Sequence, residues 1–185
     1  MTWVVCAYAL MRLIFRRTLG AALASTLIAG GILGVSVSPV SAHAIIDLEG
    51  QDAVAGTTSE MKLEIQHGCV GDEPGVIEVQ AFVGKRWRKV APLAVSGWTS
   101  EIERQPKGGL HITWKNQGAP FAFGTPVFFS IKVSWPKKPG TYGMTVFQQC
   151  PQSSTLWNTE FTAATANAPS PPLTPLPEVQ VKKSL

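Results

Sequence analysis

The 185-residue sequence is poor in charge and contains no common catalytic motif. Charged residues make up 15% of the chain and the formal net charge is +4, whereas a typical globular protein has about 25% charged residues. The low charge excludes a charge-rich disordered chain and a strongly basic nucleic-acid-binding protein. The charge gives no electrostatic reason to expect a nucleic-acid partner. The sequence has no phosphate-binding loop, no HExxH motif and no nucleophile elbow, so we expect no enzyme.

Acidic residues are absent from the first 42 positions, which have the composition of a secretory signal peptide. Arg12, Arg16 and Arg17 form a basic region, and an apolar stretch follows over residues 19–37. Small residues precede a cut site after Ala42. We predict a cleaved leader over 1–42, a periplasmic or extracellular location, and no stable membrane insertion after cleavage. An uncleaved membrane anchor is the alternative.

Cleavage after Ala42 would make His43 the first residue of the mature protein. Its free amine and its ring Nδ1 could then chelate one metal ion. Two nitrogen donors suit Cu(II), which lies at the top of the divalent affinity order. The alternative is a cut after Ala44, which would remove His43 together with the leader.

Cysteine is scarce, and no CxxC pair is present. Cys6 lies in the predicted leader, so the mature chain keeps Cys69 and Cys150, which are 81 positions apart. Two cysteines in an exported chain most simply form one disulfide. A pair of thiolate metal ligands is the weaker alternative, because export favours oxidation.

Helix-period patterns are absent after the leader, and short segments of period-two alternation take their place. Apolar and other residues alternate over five segments: 61–65, 77–83, 110–114, 127–134 and 144–150. Turn sequences such as Lys138-Pro139-Gly140 separate some of them. The pattern predicts an all-β antiparallel sandwich or barrel. Residues 163–185 are rich in proline, and we predict a flexible tail there.

Four further side chains have ordinary interpretations when each is considered alone. His67 has the inward parity of the strand before it and could be a second ligand or a core histidine. His111 and Glu78 lie on polar strand faces, where solvated side chains are common. Trp157 is typical of a sandwich core.

Taken together, the residues resemble the YcnI-like copper-binding proteins. The resemblance covers 43–162 and rests on five features: His43 after the leader, Ala55-Gly56, His67-Gly68-Cys69, Ile77-Glu78-Val79, and Cys150 followed by Trp157. It implies an exported protein with an immunoglobulin-like β-sandwich.

The resemblance also implies a copper site with a single-histidine brace. His43 would bind Cu(II) through its amine and ring, Glu78 would add a carboxylate, and Trp157 would lie close to the metal. His67 would supply or replace a ligand. The expected partners are the copper ion and a copper chaperone or membrane copper transporter.

We therefore predict an exported Cu(II)-binding protein that acts in copper trafficking or homeostasis. One alternative is a copper-dependent polysaccharide oxidase, which normally needs a second histidine such as His67 or His111. The other is a metal-free interaction module of the cell envelope.

Overall fold

The computed structural model describes residues 43–66, 69, 75–119, 121, 125–163, 165–167 and 172–184. These residues form strands and no helix, and therefore no helix that could cross a membrane. The strands of this part of the chain are β1 Ala44–Asp47, β2 Ala53–Val54, β3 Thr58–Ile65, β4 Glu78–Val83, β5 Lys89–Pro92, β6 Trp98–Arg104, β7 Leu110–Asn116, β8 Val127–Ser134, β9 Gly140–Gln149, β10 Ser154–Trp157 and β11 Glu178–Lys182.

The strands form two sheets. The smaller sheet has the order β1-β3-β8-β5, and the larger has β2-β11-β9-β4-β7-β6, with β10 also paired to β9. Neighbouring strands are antiparallel except for β11 and β2. The predicted all-β antiparallel sandwich is confirmed.

Alternate residues of the central strands fill the core between the sheets, as the period-two pattern predicted. In β3, Met61, Leu63 and Ile65 are buried, and their neighbours Lys62 and Glu64 are only half-buried. The same alternation runs through β4, β8 and β9. Large aromatic side chains complete the core, including Trp114, Trp135 and Phe129.

The prediction of a flexible tail over 163–185 is wrong for its last strand. β11 pairs with β9 on one side and with β2 on the other. Val179 and Val181 are buried in the core, while the residues between and beside them are exposed. The strand alternates over only five residues, and pairing on both of its sides holds it in the larger sheet.

A disulfide joins Cys69 to Cys150, as predicted, with Cα atoms 5.8 Å apart. Cys69 follows β3 of the smaller sheet, and Cys150 directly follows β9 of the larger sheet. The bond therefore links the ends of two strands that belong to different sheets. In the chain-entropy account, closing a loop of this length stabilises a fold by about 4.5 kcal/mol.

Candidate metal centre

His43 directly precedes β1 and is half-buried. Its backbone carbonyl accepts a hydrogen bond of 3.2 Å from the amide of Gln66, which extends the β1–β3 ladder by one position. The next residue, Ala44, is buried and lies opposite Ile65. The backbone that carries the His43 ring is thus fixed on its C-terminal side.

Glu78 is the first residue of β4 in the larger sheet, opposite Gln149 of β9. It alternates with the buried Val79, so its side chain lies on the outer face of the sheet. The Glu78 Oε1 atom accepts a hydrogen bond of 2.6 Å from Nε2 of Gln80. The carboxylate is therefore held by a neighbour on its own strand.

The contact with Glu78 is the first of a series of side-chain hydrogen bonds and fixes the orientation of the Gln80 amide. A carboxylate only accepts, so the Gln80 amide nitrogen must face Glu78 and its Oε1 must face His111. That oxygen lies 3.0 Å from Nε2 of His111, which must then carry the proton. Thr113 Oγ1 lies 3.3 Å from the same nitrogen.

His111 does not have the solvated environment that the sequence suggested. Its ring stacks on Phe82 with centroids 4.3 Å apart and an interplanar angle of 7°. Its side chain is only 19% exposed, and Nδ1 lies 3.8 Å from a carboxylate oxygen of Glu103. Cross-strand neighbours explain this burial, since Phe82 and Glu103 lie directly opposite His111 on the two flanking strands. The alternation of β4 and β7 could have revealed the pairing only if the register had been known.

Trp157 lies on the other side of the same sheet. It is buried, 1% exposed, and sits opposite Val146 with its side chain in the core. Its Nε1 donates a hydrogen bond of 3.1 Å to Oε1 of Gln148, which is itself fully buried. The structure therefore places Trp157 and Glu78 on opposite faces of the larger sheet. Sequence reasoning missed Gln148, the hydrogen-bond partner of the buried Trp157 indole.

The disulfide-linked end of the sandwich holds two of the predicted ligands. His43 lies beside the end of β3, and Glu78 lies beside the end of β9, where the Ile77 amide also bonds to the Gln149 carbonyl. His67 is outside the described residues. Within the described ranges, no group of three or more His, Cys, Asp or Glu side chains could hold a metal ion.

The donors that suit copper belong to a single residue, His43, and not to a cluster of side chains. A first-position histidine supplies two nitrogen donors without help from any other side chain, provided that its amine is free. His43 thus fits a Cu(II) chelate by itself. Trp157 cannot shield a metal ion bound to Glu78, because the two side chains lie on opposite faces of the larger sheet.

Comparison with known proteins supports the fold and no particular chemistry. No protein-family model matches the chain, and no curated protein matches it. A solved structure described as an uncharacterized protein from Nocardia farcinica with an immunoglobulin-like fold is similar, with a TM-score of 0.59 and 19% identity. The match covers 75% of this chain and 97% of that one. The chain has an immunoglobulin-like fold.

A second structure is more distant. It is described as AvmM, which catalyses macrocyclization in alchivemycin A biosynthesis, and it matches with a TM-score of 0.31 and 11% identity. The match covers 77% of this chain and 90% of that one. A likeness at this level carries no argument about the present protein.

Proposed function

We propose that this protein is an exported Cu(II)-binding protein of copper trafficking or homeostasis, related to the YcnI-like proteins. His43 is the anchor of the site and binds copper through its amine and its ring. The metal is cargo, received from or passed to a copper chaperone or a membrane copper transporter. The protein works in the periplasm or outside the cell.

The observation that carries the proposal is the position of His43 in the β1–β3 ladder. Cleavage after Ala44 would remove a buried residue and its pairing with Ile65. Cleavage after Ala42 leaves the ladder intact and frees the amine of His43. The cut that creates the copper chelate therefore leaves the ladder whole, whereas the other cut shortens β1.

Glu78 is the proposed carboxylate ligand, and His67 is the alternative. The Glu78 hydrogen bond from Gln80 engages one carboxylate oxygen, Oε1. A carboxylate is a hard ligand that suits Cu(II) better than Cu(I). Contact of this kind, in which a neighbour orients a ligating carboxylate, is common around protein metal sites.

The polysaccharide oxidase alternative gains nothing from His111. His111 lies opposite Phe82, four residues along β4 from Glu78, which corresponds to about 13 Å. Its Nε2 proton is committed to Gln80. His111 is therefore badly placed to complete a brace with His43 and Glu78.

The test compares two forms of the protein that differ only at the N-terminus. The exported protein is purified, the mass of its N-terminus is measured, and Cu(II) is titrated by isothermal calorimetry. Protein that starts at His43 should bind one Cu(II), and protein with one extra residue before His43 should bind at least about tenfold more weakly. Equal affinity of the two forms would exclude the chelate, and absence of binding in both would favour a metal-free interaction module.

A further inference from the structure

A groove lies at the side of the sandwich, between edge strand β5 and the hairpin of β6 and β7. Its volume is about 450 Å³. Three segments line it: the loop between β4 and β5, the start of β5, and the arms of the β6–β7 hairpin. Neither His43 nor Glu78, the described residues proposed as copper ligands, lines it.

The lining of the groove is strongly basic. Four cationic side chains and one carboxylate line it, which gives a local net charge of +3. The cations are Lys85, Arg88, Lys89 and Arg104, and the carboxylate is Glu103. In the part of the chain that the structure describes, none of these four cationic side chains forms an ion pair. The mature chain as a whole is close to neutral, so this concentration of unpaired positive charge is local.

The segment that carries three of the cations, made of the β4–β5 loop and the first residue of β5, is anchored. Trp87 lies in the middle of the loop and is buried, with its Nε1 donating a hydrogen bond of 3.1 Å to the Gly143 carbonyl. Its ring packs against Trp135 and Tyr142, with centroids 5.9 and 6.2 Å away. Lys85, Arg88 and Lys89 therefore extend from a fixed backbone, which lowers the entropy lost when they bind a ligand.

Two glycines allow the β6–β7 hairpin, which forms the opposite wall of the groove, to pack closely against this loop. Gly109 has a φ of 100°, and a Cβ atom there would collide with the carbonyl oxygen of Val83. Gly108 has a φ of 83°, and a Cβ atom there would lie 3.2 Å from Cβ of Lys85. The hairpin can approach the loop this closely only because both residues lack side chains.

The groove also contains apolar surface. Ile102 is 45% exposed although it lies on the strand face that turns toward the smaller sheet. Leu110, opposite Arg104 in the hairpin, and Val90 of β5 also line the groove. An inorganic anion alone would leave this apolar surface in water.

We infer that this groove binds a phosphate monoester that carries an apolar group. A phosphate monoester has a charge of about −1.5 to −2 at neutral pH, so it neutralises more of the positive charge of the groove than one carboxylate does. The planar guanidinium groups of Arg88 and Arg104 suit bidentate contacts with phosphate oxygens. The apolar group of the ligand covers Ile102 and Leu110.

The inference does not depend on the copper proposal. Lys89 of the groove lies opposite Ser134, at the end of β8. Ala44, the residue after His43, pairs with Ile65, and Ile65 lies opposite Val127, at the start of β8. The groove is therefore at the other end of the sandwich from His43.

Hexyl phosphate is the probe, and backbone amide resonances of the purified protein are the readout. Titration should shift the resonances of Trp87, Arg88, Arg104 and Leu110 in a saturable way. Hexanoate, which has one negative charge, and inorganic phosphate, which has no apolar group, should each bind at least about tenfold more weakly. Absence of saturable shifts in these residues, or equal binding of hexanoate, would overturn the inference.

A second experiment, with lipid vesicles, distinguishes a lipid headgroup from a soluble phosphate ester as the natural ligand. Vesicles of phosphatidic acid, whose headgroup is a phosphate monoester, and phosphatidylcholine are sedimented with the protein, beside vesicles of phosphatidylcholine alone. Binding of both hexyl phosphate and anionic vesicles indicates a lipid headgroup, and binding of hexyl phosphate alone indicates a soluble ester. Binding of anionic vesicles without hexyl phosphate binding indicates a charged surface instead of a groove, which contradicts the inference.

A pair of double variants separates groove contacts from net charge. Arg88→Gln with Arg104→Gln should weaken hexyl phosphate binding at least about tenfold. Lys115→Gln with Lys132→Gln removes the same charge from exposed positions that do not line the groove, and should leave binding unchanged. Equal weakening in the two double variants would overturn the inference. If the arginine variant fails to fold, Lys85→Gln with Lys89→Gln replaces it with the same expected loss.

Discussion

At the scale of single residues, strand parity decides what Glu78 and Trp157 can do. Glu78 shares the outer face of the larger sheet with Gln149, its partner in the ladder. Trp157 shares the inner face with Val146 and is buried. The two side chains are separated by the sheet itself, so a carboxylate ligand and a tryptophan cover cannot both act at one site on that sheet.

Replacement of Glu78 tests the proposed carboxylate ligand. Glu78→Gln removes the charge but keeps the size and the strand fit, so the protein should fold and its Cu(II) affinity should fall by about tenfold to a hundredfold. Glu101→Gln is the control, because Glu101 is an exposed acid on the same outer face. Calorimetric titration of both variants gives the answer. Unchanged affinity in folded Glu78→Gln would leave His67 as the next candidate ligand.

A second residue-scale prediction concerns the buried indoles. Trp157→Phe leaves the buried Gln148 oxygen without its donor, whereas the Trp114 Nε1 atom has no hydrogen-bond partner among the described residues. An unpaired buried polar group costs about 1–3 kcal/mol. Trp157→Phe should therefore lower the free energy of unfolding by more than Trp114→Phe does, by about that amount. Urea unfolding measures both variants, and equal losses would argue against the Gln148 contact.

At the scale of elements, the sequence predicted the strands that have one buried face. Alternation identified β3, β4, β7, β8 and β9, because burial selects apolar residues at every second position. β6 escaped notice because six of its seven residues are exposed at the edge of the larger sheet. β11 escaped notice because prolines precede it and only Val179 and Val181 are apolar.

The last strand should contribute to stability like any core strand. Val181→Ala deletes two buried methyl groups, and should lower the free energy of unfolding by about 1.5–3 kcal/mol. Gln180→Ala is the matched control on the exposed face of β11 and should change it by about 0.5 kcal/mol or less. Urea unfolding distinguishes the two. A negligible effect of Val181→Ala would be the behaviour of a flexible tail.

At the scale of the whole molecule, part of the candidate site follows from the sequence and part does not. A leader before His43 is enough to suggest a chelate, because amine and ring belong to one residue. The remaining ligands depend on which strand ends meet, and that depends on sheet order and the disulfide. The basic groove depends on the same information, since Arg104 and Lys89 belong to edge strands of different sheets.

The two proposed sites should therefore act independently. From Val127 to Ser134, the length of β8 separates them by about 24 Å, well beyond the screening length of about 8 Å at physiological salt. Loading with Cu(II) should change hexyl phosphate affinity by less than about twofold. The unpaired electron of Cu(II) broadens amide resonances of nearby residues, so Ala44 and Gln66 should broaden while Trp87 and Leu110 stay sharp. One set of spectra during a Cu(II) titration decides the matter, because broadening centred on Trp87 or Leu110 would put the metal at the wrong end of the sandwich.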